Sequence, residues 1–213
     1  MKKRFVSLVL TLGLCVSFLT CAASAQEMSL TPKNPIKVDT RERSVSVLAQ
    51  VNGKYLTRST RHGMVFREGK NGRKAIFAAF ADPKSFYEGL VSAGFKPGNN
   101  MTMENKEKTF VEGEALDASV TWKGAKKTYR MDEAIKDSNG KPLAIRFAGN
   151  LVPALEMKVG CLMCLDSCPV GITGNATYTY GAVEGRKEVS FTGNKDILPP
   201  DGTLVIITFK AKK

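Results

Sequence analysis

Between Ser44 and Val51 the chain alternates apolar and polar side chains, Ser44-Val45-Ser46-Val47-Leu48-Ala49-Gln50-Val51, the two-residue period of a strand with one buried face. Asn52-Gly53 follows, a pair that takes positive φ easily, and it predicts a tight hairpin returning through residues 54–57. Strand-like character begins earlier, at Ile36. Thr60-Arg61-His62-Gly63 reads as a loop entering a short strand at Met64-Val65-Phe66, and Asn71-Gly72 turns the chain into a buried strand over residues 75–80. Leu116, Ala118, Val120 and Trp122 alternate with polar residues and predict a further strand. Lys123-Gly124 reverses it into residues 127–131, residues 132–136 suit a short helical turn, and Asn139-Gly140 precedes a strand at 143–147. Residues 176–180 and 188–191 read as strands, and Pro199-Pro200-Asp201-Gly202 turns into a last strand at 204–209.

The period changes clearly once. Phe86, Tyr87, Leu90 and Val91 recur at three- and four-residue spacing, with Asp82 placed to cap a helix and Pro83 at its first position. Gly94 ends it and Phe95 folds back on the last turn. The pattern therefore predicts an α+β fold class: a strand-rich single domain over residues 35–213 with one well-defined helix at about 82–93, preceded by a loose polar arm at 26–34. No repeat, linker or low-complexity tract calls for a second domain.

The start of the chain follows another logic. Lys2, Lys3 and Arg4 precede an apolar run from Phe5 to Leu19, and Ala23-Ser24-Ala25 offers a cleavage site, so residues 1–25 read as a signal peptide cut after Ala25. Acylation at Cys21 is the lesser alternative, because Thr20 is a poor residue before a lipoprotein cysteine. The expected location is periplasmic or secreted. Lys2-Lys3-Arg4-Phe5 is only a lysine imitation of a twin-arginine signal, so the chain is expected to cross unfolded and bring bare thiols to an oxidising compartment. Loss of three basic and no acidic residues takes the formal charge from +12 to +9. The excess is dispersed and not interleaved with aromatics, which argues against nucleic acid and for a solvated face over a docking patch for anionic lipid or an acidic partner.

The chemistry concentrates in Gly160-Cys161-Leu162-Met163-Cys164-Leu165-Asp166-Ser167-Cys168-Pro169. C-x2-C-x3-C-P approaches the bacterial iron–sulfur signature C-x2-C-x2-C-x3-C-P, with Lys158 where the first cysteine would stand. Cys161, Cys164 and Cys168 are thus candidate ligands of an iron–sulfur cluster, with Asp166, Ser167 or His62 available as a fourth. The same thiolates with His62 would also make a tetrahedral zinc site. The alternatives are a disulfide between two of the three, or an exchange-active Cys161/Cys164 pair with Cys168 as resolving thiol. His62 is the only histidine, which excludes a histidine-pair zinc motif. No nucleophile elbow, phosphate loop or dinucleotide fingerprint occurs, so neither enzymatic turnover nor a small-molecule substrate is indicated.

Four passages together resemble the YdjY family of exported bacterial proteins: His62-Gly63-Met64-Val65, the run from Leu90 to Gly98, the cysteine segment, and Pro199-Pro200-Asp201-Gly202-Thr203. The resemblance runs from about Asn34 to Phe209. That family is described as ferredoxin-like or four-iron (4Fe-4S), which implies an iron–sulfur cluster at Cys161, Cys164 and Cys168. It further implies an electron-carrier or redox-accessory role beside a membrane or periplasmic redox partner. The rival expectation is a non-enzymatic binding or scaffold domain held by one disulfide.

Overall fold

The computed structural model describes residues 30–212. The leader, its cleavage after Ala25 and the acylation alternative at Cys21 lie outside the described residues. Of the arm, Leu30 is buried while residues 31–34 are exposed.

β2 (Ser44–Val51) is the strand around which the sheet is built. It pairs antiparallel with β12 (Leu204–Ala211) along one edge, while its other edge is shared by β1 (Ile36–Asp39) and β4 (Ala75–Ala79). Val47 consequently stands opposite Ile36 on one side and Ile207 on the other. Because the period is two, Val45, Val47, Ala49 and Val51 enter the main core with Val205, Ile207 and Phe209. Ser46 and Thr208 meet on the opposite face, their hydroxyls 2.8 Å apart. β5 (Leu116–Thr121) and the two-residue β6 (Tyr129–Arg130) extend the sheet beyond β12.

On the far side of β4 the order continues through β3 (His62–Phe66), β9 (Cys161–Cys164), β10 (Thr173–Asn175) and β8 (Ile145–Arg146). β7 (Ile135–Asp137) and β11 (Phe191–Gly193) form a separate pair. β4, β3 and β9 are covered on both faces, so they read Ala-Ile-Phe-Ala-Ala, His-Gly-Met-Val-Phe and Cys-Leu-Met-Cys without alternation. β3–β4 and β9–β10 are parallel pairs joined only by residues 67–74 and 165–172. These links are shorter than the crossovers of about a dozen residues that parallel strands normally need.

α1 (Pro83–Ser92) is the predicted helix: Asp82 accepts from the Lys84 and Ser85 amides, and Phe86 and Leu90 are buried. It lies close on the sheet at Gly89, where a Cβ would stand 3.1–3.4 Å from methyl carbons of Ile36, Val38 and Val45. α2 (Met131–Ala134) fulfils the predicted helical turn, and α3 (Leu151–Met157) is an additional short helix packed beside α1. The α+β class and its strand-rich character hold.

Four local expectations differ. The Asn52-Gly53 hairpin does not form; Gly53–Leu56 is a 3-10 turn, Asn52 has φ −104°, and the Gly53 amide donates to Asp201. Tertiary partners at both edges of β2 leave no place for a hairpin mate. The strand expected at 143–147 shrinks to two residues, and that at 176–180 is shifted upstream to 173–175. The segment expected at 188–191 pairs only from Phe191 onward. No helix among the described residues is long and apolar enough to cross a membrane.

Candidate metal centre

The sequence predicts no strand between 147 and 176, yet two of the cysteines form the ends of β9, inside the sheet. On a regular strand, residues three apart point to opposite faces. Here the β3–β9 ladder is irregular: His62 pairs with Cys164, Met64 with Met163, and Val65 with Cys161. Gly63 is therefore an extra residue on β3 and Leu162 an extra residue on β9, a pair of bulges that resets the alternation. Leu162, Met163 and Met64 face the main core, while Cys161, Cys164 and Val65 face a second, smaller cluster with Ala75, Cys168 and Val170. At Gly63 a Cβ would crowd the Met163 methyl at 2.5 Å and the Met163 carbonyl oxygen at 3.2 Å.

The bulges bring His62, Cys161 and Cys164 to one point, with all three ligand atoms within 4.8 Å of one another. His62 Nδ1 lies 3.7 Å from Cys161 Sγ. None of Cys161, Cys164 and Cys168 is in a disulfide, and all are buried. Val159 and the half-buried Tyr180 close the cluster from outside.

Cys168 arrives on residues 165–172, a buried link whose polar groups are well satisfied. Leu165 N donates to Arg61 O at 2.9 Å, Ser167 N to Tyr178 O at 2.9 Å, and Ile172 N to Cys161 O at 3.2 Å. Asn150, just before α3, donates its amide to Cys168 O and Gly171 O at 3.1 and 3.2 Å. Gly171 passes so near that a Cβ would stand 3.0 Å from Cys164 Sγ. This side-chain clamp does the work that a crossover helix would otherwise do.

The electrostatics are those of a dry site. Burial, with help from Arg61 and Lys74, lowers the His62 pKa to about 4, so the imidazole is neutral at pH 7 and has a lone pair to give. Hydrogen bonding with Cys161 and Cys168, together with burial, raises the Cys164 thiol well above its ordinary value. The hydrogen bond from Cys164, aided by Arg61, lowers Cys168. Arg61 and Asp166 form a buried ion pair at 2.8 Å. Burial raises the Asp166 carboxyl against the pull of Arg61. Arg61 is itself held protonated, because Asp166 and the Cys168 and Cys164 sulfurs outweigh its own desolvation.

Of the expected fourth donors, His62 is the one that meets the thiols. Asp166 is engaged by Arg61 and by the Gly181 amide. Ser167 Oγ accepts from Val111 N at 2.9 Å and donates to Asn175 O. Arg61 and Asn150 carry no sequence signal of their own: an arginine beside a histidine and an asparagine before a short helix are ordinary until the sheet brings them to the cysteines.

A profile of the YdjY domain matches residues 36–210, from the first residue of β1 into β12. This chain belongs to the YdjY family. A relative from Escherichia coli (strain K12), named uncharacterized protein YdjY, is 57% identical over 189 residues, covering 89% of this chain and 84% of its own length. No solved structure matches. In this YdjY-family chain the match spans all but the last residue of the large sheet, including the bulged β3–β9 ladder and the residues it gathers, and the histidine–cysteine group there can hold a metal ion.

Proposed function

We propose that this protein holds a single tetrahedral metal ion through Cys161, Cys164 and His62, with Cys168 as the fourth donor. The observation that carries this reading is the compactness of His62, Cys161 and Cys164, whose ligand atoms all lie within 4.8 Å of one another, while Cys168 packs in the same buried cluster outside that group. With metal–sulfur bonds of about 2.3 Å and metal–nitrogen bonds of about 2.0–2.1 Å, tetrahedral geometry sets sulfur and nitrogen about 3.6 Å apart. Cys161 Sγ and His62 Nδ1 stand at 3.7 Å. In a four-iron cluster each thiolate binds a different iron, and the inorganic core keeps the sulfurs far apart. Three sulfurs and an imidazole suit zinc or iron by donor softness. Four donors leave no open coordination position, so the site serves to retain its ion and, with iron in it, to pass an electron to a redox partner. The leader adds that this would happen in the periplasm.

An iron–sulfur cluster is the second reading, favoured by the C-x2-C-x3-C-P spacing. Metal and acid-labile sulfide analysis of protein taken from its native compartment separates the two. One ion per chain without sulfide is expected; iron and sulfide together would establish the cluster. A Cys161, Cys164 or Cys168 to Ser variant, or His62→Gln, should bind with lower affinity or not at all. A metal-free native protein with two of these sulfurs bonded to each other would sink both readings.

A further inference from the structure

Arg61 is the one arginine or lysine among the described residues that is buried, its side chain only 8% exposed. Three contacts fix it. One guanidinium nitrogen reaches Asp166 at 2.8 Å, the Cζ lies 4.0 Å from the centre of the Tyr180 ring, and the backbone carbonyl accepts from Leu165 at the start of the cysteine link. Its Nε–H is the buried side-chain donor among the described residues that has no partner. Buried donors are almost always satisfied, so an orphan beside a cluster of thiols calls for the acceptor it is waiting for.

The thiols become that acceptor when they lose their protons. A neutral S–H is a poor hydrogen-bond acceptor, whereas a metal-bound thiolate accepts well. A divalent ion on three thiolates and a neutral imidazole leaves one net negative charge in a space closed to water, and such a charge needs a cation beside it. The Tyr180 ring beneath the guanidinium packs against the cysteine cluster, and Asp166, the ion-pair partner of Arg61, stands midway between Cys164 and Cys168 in the chain. Asp166 does not cancel this role: it takes one Nη of the guanidinium and leaves the Nε–H free.

We propose that Arg61 is the outer-sphere partner of the metal centre, donating its orphan Nε–H to a thiolate sulfur and balancing the negative charge of the loaded site. This rests on the single-ion reading above. It makes Arg61 a positioning residue, with Asp166 and Tyr180 as its supports, and it predicts that the site selects the fully deprotonated three-thiolate form. Outer-sphere donors of this kind typically change metal affinity about 10- to 100-fold.

The test is competitive titration of the full chain, reduced under anaerobic conditions, with cobalt(II) and zinc(II) against a chelator of known affinity. Arg61→Met combined with Asp166→Leu removes both charges together, so that neither is stranded. Arg61→Lys keeps the charge but not the flat fork. The double variant should bind about 10- to 100-fold more weakly, with the thiolate-to-cobalt absorption at saturation unchanged because the same sulfurs ligate, and Arg61→Lys should recover part of the loss. A purely structural pair would instead lower the melting temperature of the metal-free protein and leave the affinity of its folded fraction at the wild-type value, which overturns the proposal. Should the double variant not fold, Arg61→Lys decides alone: weaker binding supports the role and wild-type affinity refutes it. Wild-type protein that takes up neither metal disproves the metal reading itself, an outcome distinct from equal binding by wild type and variant.

Discussion

Gly63 and Leu162 have no counterparts across the β3–β9 ladder, and that local mismatch decides where two cysteines point. One residue added to each strand turns an i, i+3 pair from opposite faces to one. Asn150 has a comparable effect from outside the sheet, by holding the carbonyls of Cys168 and Gly171. Asn150→Ala should leave Gly171 O unpaired and Cys168 O with only the Gly171 amide at 3.3 Å, and cost about 1–3 kcal/mol. Equilibrium urea unfolding measures that loss, and faster modification of Cys168 by a thiol reagent in the native state would show the link loosened. Unchanged stability together with unchanged reactivity would mean that the clamp is incidental.

Among the elements, α1 is the one whose start the sequence states completely. Asp82 Oδ1 accepts from the Lys84 and Ser85 amides at 2.9 and 3.0 Å, and Oδ2 accepts from Ser85 Oγ at 2.7 Å. Partial burial raises the carboxyl, but these bonds outweigh it and hold its pKa below the ordinary 3.8. Asp82→Ala should cost about 0.5–2 kcal/mol, measured by thermal or urea unfolding. The sign with pH follows from linkage: the unfolded chain binds this proton more readily. The stabilisation is complete above pH 3.8 and is lost as pH falls through the lower folded value. Asp82→Asn keeps a cap while removing that acid dependence; equal acid slopes for wild type and Asp82→Asn would contradict the assignment. The hairpin expected at Asn52-Gly53 is the opposite case. A turn dipeptide reports what the backbone can do locally, but both edges of β2 are taken by β1, β4 and β12, strands distant in sequence or contributed from another turn of the chain.

At the scale of the whole molecule, the thiols sit where the sheet is covered on both sides, cut off from water by Val159, Tyr180 and residues 165–172. A ligand held only by the folded state stabilises it by mass action, by about 2.7 kcal/mol at a free concentration one hundred times the dissociation constant. For a domain of this size that corresponds to a melting temperature higher by about 5–10 °C. Calorimetry of reduced wild-type protein with zinc and with chelator should show this difference, and the Cys161→Ser/Cys164→Ser variant should lose it. Equal melting temperatures for the wild type in both conditions would count against a metal centre at this position.

The sequence alone determined the strand-rich α+β character, the capped helix, the last strand and the identity of the reactive side chains. Each is written in local periodicity, in a cap, or in residue chemistry within a few positions. Tertiary structure alone decided that Cys161 and Cys164 share a face, that His62 and not Asp166 or Ser167 meets them, and that Arg61 lies beside them. Those outcomes depend on the register between β3 and β9, strands about a hundred residues apart. Register is set by packing and bulges across the sheet, and no stretch of the chain contains both halves of that information.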